Sequence, residues 1–322
     1  MPKTRSEDAG SARTAVGPDE VKRMWQTRPD READLLGGPS LGAKRLAARS
    51  FAEHRLAVVG LAIIVVMLAL CFIGPLVYHT NQLVTNLNNP ITQPPGHGHL
   101  LGTDPNGFDE LGRLMFGGQA SLEVGIAAAI IATVIGVVVG SIAGFFGGIA
   151  DALLMRVVDT LLSIPLLLLL IVLSVQFNPS KYAMILVIGL VAWLVPARLV
   201  RGETLTLRTR EYVQAVRVMG GGSRKIITRH IIPNAIGTIA VNATFQVADA
   251  ILLLAALGYL GVGIQPPQTD WGSMLSVGAA YVDAGAWWLI WPPAACIVLV
   301  VVAFNFVGDG LRDALEVRLQ RR

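Results

Sequence analysis

A chain of 322 residues that is 53% hydrophobic and only 15% charged carries more apolar surface than a soluble domain of that length can bury in one core, which excludes an ordinary water-soluble fold and makes lipid the natural solvent for the surplus. The formal net charge of +4 calls for no nucleic-acid partner, because basic residues flanking membrane spans account for it. The two cysteines, Cys71 and Cys296, both lie in apolar runs, where isolated cysteines are small packing residues and not a disulfide or metal framework.

Residues 1–40 mix Arg, Asp, Glu, Gly and Pro with few large apolar side chains and read as a disordered cytoplasmic tail. They do not read as a cleaved leader, since acids are scattered through them and no apolar core follows within the first 30 residues. At 41–55 the pattern changes, with Leu41, Leu46 and Phe51 set among Lys44, Arg45, Arg49 and Arg55. Two readings stay open there: an amphipathic helix in the membrane interface, or a solvated helical lead into the first span.

No ionised residue other than histidine occurs at 56–103, 124–150, 160–180, 182–197 or 284–308, and the stretch 231–269 is broken only by Asp249. About 20 apolar residues in a helix cross a hydrocarbon layer of about 30 Å, so spans are predicted near 56–78, 120–144, 159–177, 182–200, 237–262 and 287–308. These runs are continuous, not alternating, and too long for barrel strands; only helices then satisfy every backbone N–H and C=O in lipid. The expected fold is an all-α polytopic membrane protein of six transmembrane helices filling 56–315, with an outer loop at 79–119, a cytoplasmic loop at 198–233 and a basic tail at 316–322.

Lysine and arginine orient it. With the N-terminus cytoplasmic, 24 of the 26 basic residues fall inside, and only Arg113 and Lys181 fall outside, which places both termini in the cytoplasm. Trp271, Trp287, Trp288 and Trp291 gather at the predicted outer ends of the last two spans, the position that amphipathic indoles prefer. The outer loop holds Asn89-Pro90, Pro94-Pro95 and several glycines, so it is looped and suits a docking surface. His97 and His99 within it have no third ligand candidate nearby, too few for a metal site.

The loop at 198–233 is polar, basic and helix-prone on both sides of Gly220-Gly221-Gly222, with Pro233-Asn234 as a stop before span five. Arg156 and Asp159, three apart at the start of span three, suit a helical ion pair. Asp249 sits inside span five, where a carboxylate is costly unless paired or wetted. It reads equally as a pathway or gate residue and as a neutral, hydrogen-bonded carboxyl between helices. No G-x-x-x-x-G-K-[S/T] loop, Cys/His array or nucleophile elbow occurs, so the chain is expected to be no enzyme and to hold no cofactor of its own. A self-sufficient channel or carrier is the competing class, but a complete pathway would place more polar residues within the spans.

The stretch Glu211-Tyr212-Val213-Gln214-Ala215-Val216, then Gly220, then Ile231-Ile232-Pro233-Asn234 resembles the cytoplasmic "EAA" loop of ABC importer permeases, with Val216 in place of the usual second alanine. Leu100-Leu101-Gly102-Thr103-Asp104, Leu154-Met155-Arg156-Val157-Val158-Asp159, Ile164-Pro165 and Gly261-Val262-Gly263-Ile264-Gln265-Pro266-Pro267 with Trp271-Gly272 are similar to the C-type subunits of the dipeptide/oligopeptide/nickel group. Two positions depart from the family pattern: Gly107-Phe108-Asp109 stands where Gly-Arg-Asp is usual, and Leu254 where span five usually carries a glutamate.

The resemblance implies a type I importer permease with the MetI-like fold in a bacterial inner membrane, working by alternating access. It implies a second homologous permease, two ATPase subunits that bind ATP and Mg, and an extracytoplasmic solute-binding protein. Peptide is the expected solute, with nickel, haem or another small solute as alternatives. The coupling loop to the ATPase would comprise Glu211, Tyr212, Gln214, Ala215, Arg217, Gly220, Gly221, Ser223, Arg224 and Pro233, with Asp249 on the pathway or in a gate. Small side chains at Ala215 and Gly220 would let another protein approach the backbone closely.

Overall fold

The computed structural model describes residues 51–320 apart from 83, 85–90, 97, 178 and 179, with the backbone alone for 316–320. The expected tail at 1–40, most of the segment at 41–55 and His97 lie outside the described residues. Among those described, every regular element is helical.

Helix α1, Arg55–Leu68, continues through a π turn, Ala69–Ile73, into the short α2, Gly74–Val77. Helix α3, Glu110–Phe146, has 37 residues and at 1.5 Å per residue runs about 55 Å, well beyond the hydrocarbon layer. Then come α4, Gly148–Leu162, and α5, Leu166–Gln176, bent by 85° across Ile164-Pro165, and α6, Lys181–Ala192, and α7, Leu194–Leu207, bent by 40°. Proline removes an N–H donor and disfavours helix at the residue before it, which breaks the first pair. Helices α8, Glu211–Val218, and α9, Ser223–Ile226, precede α10, Ile232–Tyr259; α11, Trp271–Ala279, and α12, Trp291–Gln320, complete the chain. Four continuous helical segments are long and apolar enough to cross a membrane, and six spans result if each bent pair counts as one.

Helix α3 is the axis of the bundle, packed against α6, α7 and α10, while α12 joins α10 to α1. Gly136, Gly140 and Gly144 make its contact with α7 intimate: a methyl at Gly140 would stand 2.4 Å from the Ala197 carbonyl oxygen. Small residues at such spacing let helices approach in lipid, where packing and not the hydrophobic effect holds them together. The middle of the core, Ala128, Ala132, Leu170, Ile188 and Leu257, is fully buried. Cys71 and Cys296 pack in a neighbouring apolar cluster with Trp271 and Val300. Large apolar side chains such as Val66, Leu168 and Val298 are exposed, which suits lipid and not water.

Four sequence expectations need correction. The loop expected at 79–119 ends sooner, because Asp109 caps α3, its Oδ1 accepting the Gly112 N–H at 2.8 Å; Gly112, Gly117 and Gly118, which read as loop residues, allow close approach instead. Trp271 and Trp288 are buried and donate their indole N–H to the carbonyls of Leu114 and Thr103, leaving Trp287 and Trp291 exposed. Asp159 pairs with Arg198 and not with Arg156. Pro233-Asn234 is no stop: the chain stays helical from Ser223 to Tyr259, and a π turn at Ile227–Ile231 absorbs Pro233 in the first turn of α10, where its missing N–H costs little.

Candidate functional site

The segment between α7 and α10 projects from the end of α3 as a braced helix–turn–helix. Helix α8 lays Val213 into a cluster with Phe145, Val200, Leu207, Ile226 and Ile231, so both of its arms are anchored in the bundle. Arg208 donates to the carbonyl oxygens of Gly144 at 2.8 Å and Phe145 at 3.4 Å, a cation capping the C-terminal carbonyls of α3. Below it, Arg201 holds the two Asp151 oxygens through Nε and Nη2, at 2.5 and 2.7 Å. With the Asp159–Arg198 pair this fastens α4 to α7.

The turn itself needs glycine. Met219, Gly220 and Gly221 donate their N–H to the carbonyls of Ala215, Arg217 and Val216 at 3.0, 3.0 and 2.9 Å. Gly220 reaches φ +81°, and a methyl at Gly221 would lie 2.7 Å from the Val216 carbonyl oxygen. The first position requires the left-handed region and the second has no room for a Cβ.

Most of the sequence-predicted residues of this loop lie at the surface. Glu211, Tyr212, Gln214, Ala215, Arg217, Gly220 and Arg224 are exposed, and Gly221 and Ser223 are half-buried in the turn. Gln214 donates to the Arg208 carbonyl at 3.1 Å, and the Arg217 guanidinium lies 5.4 Å from the Phe145 ring centroid. Pro233 stands apart, at the root of α10. Missed in the sequence are Val218 and Met219, which are 88% and 77% exposed at the tip. The apolar tip is flanked in sequence by the exposed basic residues Arg217, Arg224 and Lys225.

Asp249 is exposed midway along α10, as are Thr238 and Leu252 on the same side of the helix, while Asn242 and Phe245 between them are half-buried. Leu254 is fully buried in the core. Five residues of helix turn the two side chains to different faces.

Residues 136–321 match the family described as the binding-protein-dependent transport system inner membrane component, and residues 44–95 match the N-terminal transmembrane domain of oligopeptide transport permease C. The first match covers more than half of the chain. The chain belongs to the binding-protein-dependent transport permeases. Within this family it is 41% identical, over 84% of its length and 87% of the relative's, to the oligopeptide transport system permease protein OppC of Haemophilus influenzae. It is 37% identical to the dipeptide transport system permease protein DppC of Bacillus subtilis, over 94% of each chain, and 41% identical to OppC of Escherichia coli over 84% and 89%. The chain is therefore the membrane permease component of an ABC importer, and the helix–turn–helix at Gly220 lies within the permease match.

Proposed function

We propose that this permease imports short peptides as the C-type half of a transporter in a bacterial inner membrane, with both termini cytoplasmic. A second, homologous permease completes the pathway, two ATPase subunits bind ATP and Mg at the cytoplasmic face, and a solute-binding protein delivers peptide from outside. The named relatives that transport oligopeptides and dipeptides support the solute class. The observation that carries the coupling is the exposed Val218–Met219 tip on a helix pair braced by Val213 and Ile226.

In this reading the tip seats in an ATPase groove, Tyr212 widens the apolar contact, Arg217 and Arg224 meet acidic groups on its rim, and Glu211, Gln214, Ala215, Gly220, Gly221 and Ser223 fix the loop's shape. Closure of the ATPase pair on ATP pulls the tip, and α7 and α10 transmit the displacement because the loop's core is continuous with theirs. The differing contacts of the tip in the two ATPase states supply the bias that a two-state change requires. Pro233 sets the root of α10, and Asp249 faces the partner permease across the pathway. No covalent step falls to this chain.

Uptake of labelled dialanine by cells lacking the gene tests it. The intact gene restores uptake that unlabelled tripeptide competes away; restored uptake of Ni²⁺ alone, with no peptide uptake, would refute the solute assignment.

A further inference from the structure

At the end of the molecule opposite the Gly220 turn, a cavity of about 230 Å³ lies between the start of α3, the loop after α10 and α11, with Asp104, Glu110, Arg113, Gln265, Gln268 and Ser276 in its wall. Glu110 is only 2% exposed, and among the described residues no hydrogen bond or ion pair engages its carboxylate, whose surroundings are Asp104, Asp109 and Arg113. The neighbouring charges are committed elsewhere. Asp104 Oδ1 accepts the N–H of Asn106 and Phe108, both at 2.8 Å. Arg113 donates to the carbonyls of Gln82 at 3.3 Å and Pro267 at 3.1 Å and lies 4.4 Å from the Phe108 ring centroid. Asp270 caps α11 through Ser273 and takes the Ile264 N–H.

Two carboxyls, those of Asp104 and Glu110, share the wall with one guanidinium, that of Arg113. Burial pushes the carboxyls of Asp104 and Glu110 above the usual carboxylate range, a desolvation cost that a cation bound beside them would offset. Gly258 and Gly261, at the C-terminal end of α10, also line the cavity, and a helix C-terminus favours cations. A buried, unpaired carboxylate is costly, so a cation reaching Glu110 meets a need that the chain leaves open.

We propose that this cavity binds a primary ammonium group through the Glu110 carboxylate, with the amide oxygens of Gln265 and Gln268 and the Ser276 hydroxyl as further acceptors. The peptide-import reading bears only on the source of the ammonium, which would then be the amino terminus of the arriving peptide; the alternative source is a free ammonium ion.

The test is calorimetric titration of the full-length chain, with the subunits that co-purify, in lipid nanodiscs at neutral pH, using dialanine, N-acetyl-dialanine and ammonium chloride. Dialanine is expected to bind saturably, at least tenfold more tightly than its acetylated form, and to lose at least tenfold in Glu110→Gln. Ammonium chloride binding as tightly as dialanine, with the same loss in the variant, supports the site with the free ion as its source. Equal affinity for dialanine and N-acetyl-dialanine, undiminished binding in Glu110→Gln, or no saturable heat from either amine overturns the proposal. The acetylation comparison uses the unaltered chain and stands even where Glu110→Gln does not fold. Neither ATP nor transport is read, so a failure here leaves the importer reading intact, and a failure of that reading leaves the ammonium chloride titration as it was.

Discussion

Met219 shows what a single side chain reveals about this permease. It is 77% exposed at the head of a turn whose core face is already filled by Val213 and Ile226, so it contributes almost nothing to its own fold. Met219→Asp is expected to change the stability of the chain by no more than about 0.5 kcal/mol, as surface substitutions do, while weakening ATPase association at least tenfold, or about 1.4 kcal/mol. Thermal unfolding and quantitative co-purification read the two effects separately. Asp249 is a second residue exposed on α10; Asp249→Asn should cut peptide uptake several-fold with ATPase association unchanged, and normal uptake would remove its charge from the pathway. The sequence identified Asp249 by its cost in an apolar run. It could not single out Val218 and Met219, because an apolar residue next to Val213 and Val216 reads as core until the helix is seen to end there.

At the scale of the element, the helix–turn–helix was legible because Gly220-Gly221-Gly222 interrupts two polar, helix-prone stretches. The structure adds why: Gly220 holds φ +81°, a conformation that costs an L residue about 1–2 kcal/mol. Nothing lies within 4 Å of a Cβ built at Gly220, so Gly220→Val strains the turn without a clash. The expected result is ATP hydrolysis that continues while uptake falls, measured in proteoliposomes; unchanged coupling would count against the lever. The start of α3 was not legible, because Gly112, Gly117 and Gly118 look like loop in one dimension and serve close helix contacts in three. The bend at Ile164-Pro165 was visible only as a dipeptide, not as an 85° turn. Just before α3, burial raises the Asp104 carboxyl above its ordinary 3.8, so the protonated form is favoured by folding. Its contribution is complete below the unfolded value and is lost as pH rises through the folded one. Asp104→Asn, which keeps the carbonyl acceptor, should therefore gain stability relative to the parent chain as pH is raised from 4 to 7 in a detergent unfolding assay.

At the scale of the whole molecule, the positive-inside count and the six apolar runs were enough to expect a helical membrane protein, because both follow from the bilayer and not from any one contact; the permease family was expected from the motifs it resembles. The side-chain pairs that shape it, Asp151 with Arg201 and Asp159 with Arg198, join helices distant in sequence, and no local spacing announces them. The bundle leaves Thr238, Asp249 and Leu252 exposed on α10 and the apolar tip exposed at Val218 and Met219, and in the proposed function these surfaces meet other chains. The two cysteines are both buried, so Met219→Cys supplies a single exposed thiol at the tip, and this permits the most direct test of the coupling. The variant, purified in mild detergent and treated with a short thiol-to-amine cross-linker, should yield a covalent adduct with an ATPase subunit carrying a phosphate-binding loop, identified by mass spectrometry, with a yield that changes on adding ATP and Mg. An intact complex that contains the ATPase but gives no adduct at position 219, or a purified transporter with no ATPase in it, would contradict the account.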